Sequence, residues 1–366
     1  MSLRIALTHV YSWPEVRRGG ERYLHELASA LADSGHRVTI LSTAREVGRG
    51  RVLGVDVRYL RRRERLLARR FGDLAGEVSF GMQAFARLLS KGLDVWHAFG
   101  TADAAAAAIA GRIVGLRSVY TDLGISERSW REARPDRRLY RIAVRHVDRY
   151  LALSRAAAAH IPKDYGRTPI ILGGGVDLRS FHPAPRRNPV PALLFPASAA
   201  DPRKNLPLLL QAVALLRRRH PTLELWLAGP GDPTPALSDA PAEARAAAVP
   251  LGVTGLEDLV SLYGRAWVTV LPSWGEAFGL VVLESLACGT PAVTLADGGP
   301  AELVGPEVGA TSRPTPESLA EACERALELA TRAGVVDVCR AAAEPQDWRS
   351  GIVPRIESVY RDGNVD

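Results

Sequence analysis

Residues 268–302 read VTVLPSWGEAFGLVVLESLACGTPAVTLADGGPAE. Val268–Leu271 is a short, apolar, β-branched run of strand character. A helix is predicted from about residue 279, and a second strand-like run follows at Ala292–Leu295. Strand, loop, helix and strand in that order make a βαβ unit, which joins parallel strands. Glu276 and Glu284 stand eight positions apart across the loop–helix junction. With a helix start near Phe278, Glu276 lies in the loop and Glu284 inside the helix, and the amides of Phe278, Gly279 and Leu280 form a free helix N-terminus. Such an end attracts phosphate. Eight residues of helix advance about 12 Å, the span from a sugar to a ribose across a diphosphate. Taken alone, two glutamates at this spacing are more simply two solvated carboxylates on an amphipathic helix.

The same alternation runs through the rest of the chain. Ile5–Leu7 is strand-like, and from Glu21 the residues Tyr23, Leu24, Leu27, Ala28 and Leu31 keep helical spacing up to Gly35. Further strands are predicted at Val38–Leu41, Asp94–Ala98, Arg117–Thr121 and Tyr150–Leu153, with helices over 101–114 and 136–147. The stretch PAPRRNPVP at 183–191 has four prolines in nine residues and reads as a linker. Beyond it come strands at Ala192–Pro196, Glu224–Ala228 and Leu259–Leu262 and a helix over 206–219. The fold predicted is α/β, with two Rossmann-like domains, 1–182 and 183–345, facing each other across a cleft.

Composition narrows the class. At 366 residues with 47% apolar and 24% charged side chains, the chain is neither disordered nor membrane-spanning. Cys288, Cys323 and Cys339 are odd in number and lack CxxC spacing, which argues against disulfides and structural zinc. With no secretion signal at the N-terminus, a cytoplasmic location is expected. GxGxxG after the first strand, a P-loop and HExxH are all absent, which disfavours nicotinamide, ATP-hydrolysing and zinc-protease chemistry. Residues 1–182 carry 31 basic and 18 acidic side chains, net +13, whereas 183–366 carry 16 and 22, net −6. Arginine and alanine enrichment reads as GC-rich coding. Lys204 is one of only three lysines, with Lys91 and Lys163, and a retained lysine suits a compact point charge.

The stretch 272–302 resembles retaining glycosyltransferases of family 4, of GT-B fold, through Pro272, Ser273, Glu276, Phe278, Gly279, Glu284, Ala287, Gly289, Pro291, Gly298, Gly299 and Glu302. The likeness extends over nearly the whole chain: Gly19 and Gly20 with Gly35–Val38, the strand Asp94–Ala98, the turn Gly175–Asp177 with Phe181 and Pro183, Pro202–Asn205, and Leu227–Gly231. Asp347, Trp348 and Tyr360 resemble the family's terminal segment, here 346–366, which returns to the first domain.

The resemblance implies a nucleotide-sugar donor, with Glu276 on the transferred sugar and Glu284 on the ribose. Lys204 and the amides of Phe278, Gly279, Leu280 and Val281 would hold the diphosphate, and Gly19 and Gly20 would close on it. It implies no metal or other cofactor, because a cation and a helix end stabilise the leaving group. Two departures stand out. Ser198 occupies the place of an arginine usual after the strand that opens the second domain, and Arg203 is the candidate replacement. Thr121, Asp122 and Leu123 stand where many relatives have a sugar-contacting histidine, so Asp122 either accepts sugar hydroxyls or merely ends its strand. His97 is either a cleft contact or a packed strand-end histidine. Glu276, Lys204, Asp122 and His97 make up the catalytic candidates.

The segment 58–71, with seven arginines among Leu60, Leu66, Leu67 and Phe71, reads as a basic amphipathic helix. It would bring a peripheral membrane contact at the inner face or meet an anionic acceptor; solvated, codon-biased charge is the competing reading. The segment 126–141 offers Trp130 and Tyr140 for stacking among arginines, but the compact α/β pattern and acidic second half argue against nucleic acid. The function expected is transfer of a sugar to a small-molecule or anionic acceptor. A non-catalytic nucleotide-sugar-binding subunit is the alternative, and an epimerase on the same fold is a third reading.

Overall fold

The computed structural model describes residues 2–13, 19–63, 75–124, 134–161 and 165–361. The chain divides into two compact units: unit 1 is Met1–Gly175 with Trp348–Asp366, and unit 2 is Val176–Asp347. The division therefore falls before the proline-rich stretch. That stretch packs onto unit 2, where the Arg187 guanidinium donates to the carbonyls of Ala266 (3.0 Å), Trp267 (2.9 Å) and Gly289 (3.0 Å). Val176 and Asp347 close unit 2 by a parallel bridge.

Unit 1 holds strands β1 (Arg4–Thr8), β2 (Arg37–Ala44), β3 (Gly48–Val52), β4 (Val55–Arg61), β5 (Val95–Ala98), β6 (Arg117–Asp122), β7 (Arg149–Ala152) and β8 (Ile170–Ile171). They pair in the order β3-β4-β2-β1-β5-β6-β7-β8, all parallel except the β3–β4 hairpin. Its helices are α1 (Gly19–Asp33), α2 (Ala75–Leu88), α3 (Thr101–Val114), α4 (Arg134–His146) and α5 (Arg155–Ala159). The apolar stripe of α1 is buried as its spacing predicts. On α3, Ala104, Ala107 and Ala108 are buried, and their small side chains let α2 and α4 pack closely on either side. Over the described part of 58–71, residues 58–63, the expected basic amphipathic helix does not form. Residues 58–61 finish β4, paired in parallel with β2, and 64–71 lie outside the described residues.

Unit 2 begins with β9 (Ala192–Phe195), α6 (Leu206–Arg217), β10 (Glu224–Leu227), α7 (Thr234–Ser238), α8 (Ala242–Ala247) and β11 (Ala248–Pro250). It continues with α9 (Leu256–Arg265), β12 (Val268–Leu271), α10 (Leu280–Ala287), β13 (Ala292–Leu295), β14 (Gly309–Ser312), α11 (Pro316–Ala330) and α12 (Val335–Ala343). Its sheet is wholly parallel, in the order β11-β10-β9-β12-β13-β14. That is the doubly wound order, which reverses between β9 and β12 and opens a crevice beyond the carboxyl ends of those strands. The strand predicted at Leu259–Leu262 is instead part of α9. Leu256, Leu259, Val260 and Tyr263 follow helical spacing, and Val260 and Tyr263 are buried. All three cysteines are buried free thiols.

After Asp347 the chain rejoins unit 1 and forms α13 (Val353–Arg361), the last element among the described residues. Trp348 packs edge-on against Tyr23 at 5.1 Å and donates its indole N–H to Glu26 (3.1 Å). A Cβ on Gly175 would lie 2.3 Å from that indole ring, so only glycine fits beneath it. Tyr360 on α13 bonds His97 (2.7 Å), whose other ring nitrogen meets Thr121 (2.7 Å) and whose ring stacks on Phe99. His97 is fully buried, and burial pushes its pKa down to about 3. An unfolded histidine titrates near 6.5, so below that pH the unfolded chain takes up a proton that the folded chain refuses. Stability is therefore lost as pH falls from 6.5 toward 3. Urea denaturation at pH 7 and pH 5 should show this as a drop to which His97 contributes about 2 kcal/mol. His97→Gln should narrow the gap between the two pH values, and an unchanged gap would place the proton uptake elsewhere.

Candidate active site

The loops leaving β9 and β12 meet at the reversal point of the unit 2 sheet. Beyond β9 the chain turns through Ser198, whose neighbour Ala199 donates its amide to the Pro230 carbonyl (3.0 Å). One 3-10 turn, Pro202–Lys204, follows, and its cap Asp201 accepts from the Arg203 amide (3.0 Å). The loop beyond β12 is tied to this turn twice. The Trp274 amide donates to the Arg203 carbonyl (3.0 Å), and the Lys204 ammonium forms an ion pair with the Glu276 carboxylate. These two side chains are 72 positions apart in sequence and keep 20% and 24% of their surface in water. A pair this open contributes about 1 kcal/mol at most. It can exchange partners at little cost.

The second half of the loop is shaped by glycines. Gly279 takes a left-handed conformation (φ 89°), which a helix cannot continue, so α10 starts at Leu280 and not near Phe278. The Val282 amide donates to the Gly279 carbonyl (2.9 Å), while the amides of Leu280 and Val281 have no partner among the described residues. Those two are the free donors of the first turn. Gly299 donates its amide to the Glu276 carbonyl (2.9 Å), and a Cβ there would lie 2.0 Å from the Ala277 carbonyl oxygen. Backbone meets backbone, which fixes the height of Glu276 over the helix end. Phe278 is buried under the loop.

Glu284, one turn into α10, is almost fully buried and accepts a hydrogen bond from the Tyr263 hydroxyl (2.7 Å). Sequence reasoning missed Tyr263, because no local pattern marks a tyrosine that will meet a carboxylate on another helix. Around it the Ser285 hydroxyl lies 2.7 Å from that of Thr269 and 2.9 Å from the Thr290 carbonyl. The Arg340 guanidinium donates to the Ala287 carbonyl (2.7 Å) at the C-terminus of α10, where a cation suits the helix dipole. The helix is thus held at both ends.

Lys204, Glu276, Arg203 and the loop Phe278–Val281 come together in unit 2. Arg203 pairs with its neighbour Asp201 (2.7 Å), so much of its charge is answered within the turn. Gly19, Gly20, Asp122 and His97 belong to unit 1. Gly19 and Gly20 open α1, with residues 14–18 before them outside the described residues. A Cβ on Gly20 would touch Leu123 at 3.1 Å, which places that turn beside Asp122. Asp122 accepts from the Tyr140 hydroxyl (2.7 Å) and, more weakly, from that of Tyr150 (3.4 Å). His97 has both ring nitrogens engaged and no exposed surface, which makes it a packed strand-end histidine. Among the described residues no three His, Cys, Asp or Glu side chains gather as metal ligands.

Residues 17–180 match the family model described as Glycosyltransferase Family 4, and residues 190–329 match Glycosyl transferases group 1. The chain belongs to glycosyltransferase family 4. Among curated proteins it is similar to a D-inositol 3-phosphate glycosyltransferase of Saccharomonospora viridis, 34% identical over 60% of this chain and 56% of that protein. The chain spans about half the length of the curated relatives it matches. Among solved structures, sucrose-phosphate synthase from Thermosynechococcus elongatus matches with a TM-score of 0.78 over 98% of both chains at 22% identity. Anabaena HepE, in complex with UDP-glucose, matches with a TM-score of 0.71 over 97% of this chain and 100% of that one, at 19% identity. These likenesses show the fold, GT-B, which agrees with two α/β units built on parallel sheets.

Tyr263→Phe tests how α10 is anchored. Removing the hydroxyl leaves the buried Glu284 carboxylate short of a donor, which costs about 1.5–3 kcal/mol. Chemical denaturation should show that loss, and a variant as stable as the parent would mean the other partners of Glu284 suffice.

Proposed function

We propose that the chain transfers a sugar from a nucleoside-diphosphate sugar to a hydroxyl-bearing acceptor, with retention of anomeric configuration. The observation that carries this reading is the Lys204–Glu276 pair set beside the free Leu280 and Val281 amides at the reversal point of the sheet. An ammonium and a helix N-terminus suit a diphosphate. A carboxylate beside them suits the hydroxyls of the attached sugar. On donor binding Lys204 would exchange Glu276 for phosphate oxygen, and Glu276 would accept from the sugar. Glu284, oriented by Tyr263, is read as the partner of the ribose, and Ser198 as a further donor contact.

In the chemical step the acceptor oxygen bonds to the anomeric carbon as the bond to the diphosphate oxygen breaks on the same face. The acceptor's proton passes to the leaving phosphate. Lys204 and the α10 amides stabilise the charge that develops there, so this reading assigns no step to a metal. The complex of Anabaena HepE with UDP-glucose and the curated relatives' activity on an inositol phosphate support a nucleotide-sugar donor and a polyhydroxylated, anionic acceptor. Because Asp201 answers Arg203, Lys204 would carry most of the phosphate charge in this turn. Binding without turnover is the competing reading, and slow donor hydrolysis in the absence of acceptor separates the two.

A thermal-shift screen against nucleoside diphosphates and their sugars identifies the donor. With that donor, Glu276→Ala should lower turnover by roughly 10- to 100-fold, as expected for loss of one charged hydrogen bond, while the variant stays folded. Near-normal turnover would remove Glu276 from the site. Lys204→Ala should weaken the nucleoside diphosphate at least about tenfold, near 1.4 kcal/mol, and the nucleoside hardly at all. Equal losses for both ligands would make Lys204 a structural charge.

A further inference from the structure

We infer a second anion site, on unit 1, that takes a compact phosphomonoester. β1 and β2 begin in register, Arg4 opposite Arg37, so two guanidinium groups start side by side at the amino-terminal edge of the sheet. Arg58 on β4 lies in register beside Leu41 of β2. The helix α2 covers this face, packing Phe80, Ala84 and Leu88 with Ala6 and Leu41 in one core cluster. Where that core ends, a cavity of about 200 Å³ opens, lined by Arg4, Arg37, Arg58, Arg87 and Lys91 above apolar side chains that include Ala6, Leu41 and Leu88.

Five cations thus line one small concavity. Asp94 answers Arg4 (3.1 Å), and Asp56 lies in register beside Thr39 at the margin. The side chains of Arg37, Arg58, Arg87 and Lys91 have no hydrogen-bond or ion-pair partner among the described residues. Four like charges around one hollow repel each other, and an anion between them relieves that repulsion. Guanidinium forks and an ammonium match phosphate oxygens, while the apolar floor favours an ester carrying a small organic group over a bare ion. The cavity is smaller than the roughly 300–1,000 Å³ of ordinary ligand pockets. It suits a phosphate ester of a few carbons and not a nucleotide sugar.

The position separates this site from the transfer chemistry. Two of its cations, Arg4 and Arg37, stand at the amino ends of β1 and β2, opposite the carboxyl ends where open parallel sheets bind substrates. It also accounts for part of the excess positive charge of the first half, which a donor held in unit 2 leaves unexplained. The same chemistry is offered by a soluble sugar or glycerol phosphate and by the headgroup of phosphatidic acid.

The test uses the whole protein, glycerol 3-phosphate as the soluble probe, and vesicles of phosphatidylcholine with or without phosphatidic acid. The variant carries Arg37→Gln, Arg87→Gln and Lys91→Gln together; all three residues are exposed, and circular dichroism checks its fold. Glycerol 3-phosphate should bind saturably by calorimetry to the parent and equally to Lys204→Ala, and at least tenfold more weakly to the triple variant. Salt-sensitive co-sedimentation with phosphatidic acid vesicles alone, lost in the triple variant, would assign the same site to a lipid headgroup. Binding of neither probe, or equal binding by parent and triple variant, would overturn the site. Loss of glycerol 3-phosphate in Lys204→Ala, with retention in the triple variant, would place the phosphate in unit 2 and overturn it as well.

Discussion

The ion pair between Lys204 and Glu276 exists because the unit 2 sheet reverses its strand order between β9 and β12. That reversal sends the helices after the two strands to opposite faces, so the loops at their carboxyl ends part and then lean toward one another. Two short loops, from chain positions far apart, can then present one cation and one carboxylate at the same point. The supporting contacts serve that placement. The Trp274 amide ties the loops together, Gly279 sets where α10 begins, and Gly299 lets a third loop close on the backbone of Glu276. A side chain at Gly299 would force that third loop away, and with it the carboxylate.

The ion pair itself contributes little stability, and that matches its position. Glu284 is buried and held in one orientation by the Tyr263 hydroxyl. Lys204 and Glu276 instead stay partly wet and weakly committed, free to exchange each other for a ligand. The two glutamates, eight positions apart, thus occupy different physical regimes: one is partly wet and mobile, the other buried and pre-oriented. Unit 1 shows the same contrast. His97 and Asp122, candidates by position at strand ends, are bonded into tyrosine and threonine networks, whereas Arg37, Arg58 and Arg87 have no side-chain partner among the described residues.

Much of the fold was legible in the sequence because parallel strands buried on both faces leave continuous apolar runs, as in Ala192–Phe195 and Val268–Leu271. The stretch 259–262 misled because four apolar-rich residues are too short a window to separate period 2 from period 3.6. The longer window from Leu256 to Tyr263 does separate them. The hairpin of β3 and β4 went unseen because its turn places Leu53 at φ 47°, a conformation a leucine does not advertise. On the quoted motif, spacing put Glu276 in the loop and Glu284 inside the helix, where the structure has them, while the roles read for them came from the resemblance. Tyr263, and the pairing of Asp201 with Arg203, were not, because they depend on side-chain directions that sequence spacing does not carry.

The most direct test is a crystal structure of the protein soaked with a nucleoside diphosphate. The predicted result is the diphosphate between the Lys204 ammonium and the amides of Leu280 and Val281, with Glu276 released from Lys204 and turned toward the space a sugar would fill. A diphosphate bound elsewhere, with the Lys204–Glu276 pair intact, would contradict it.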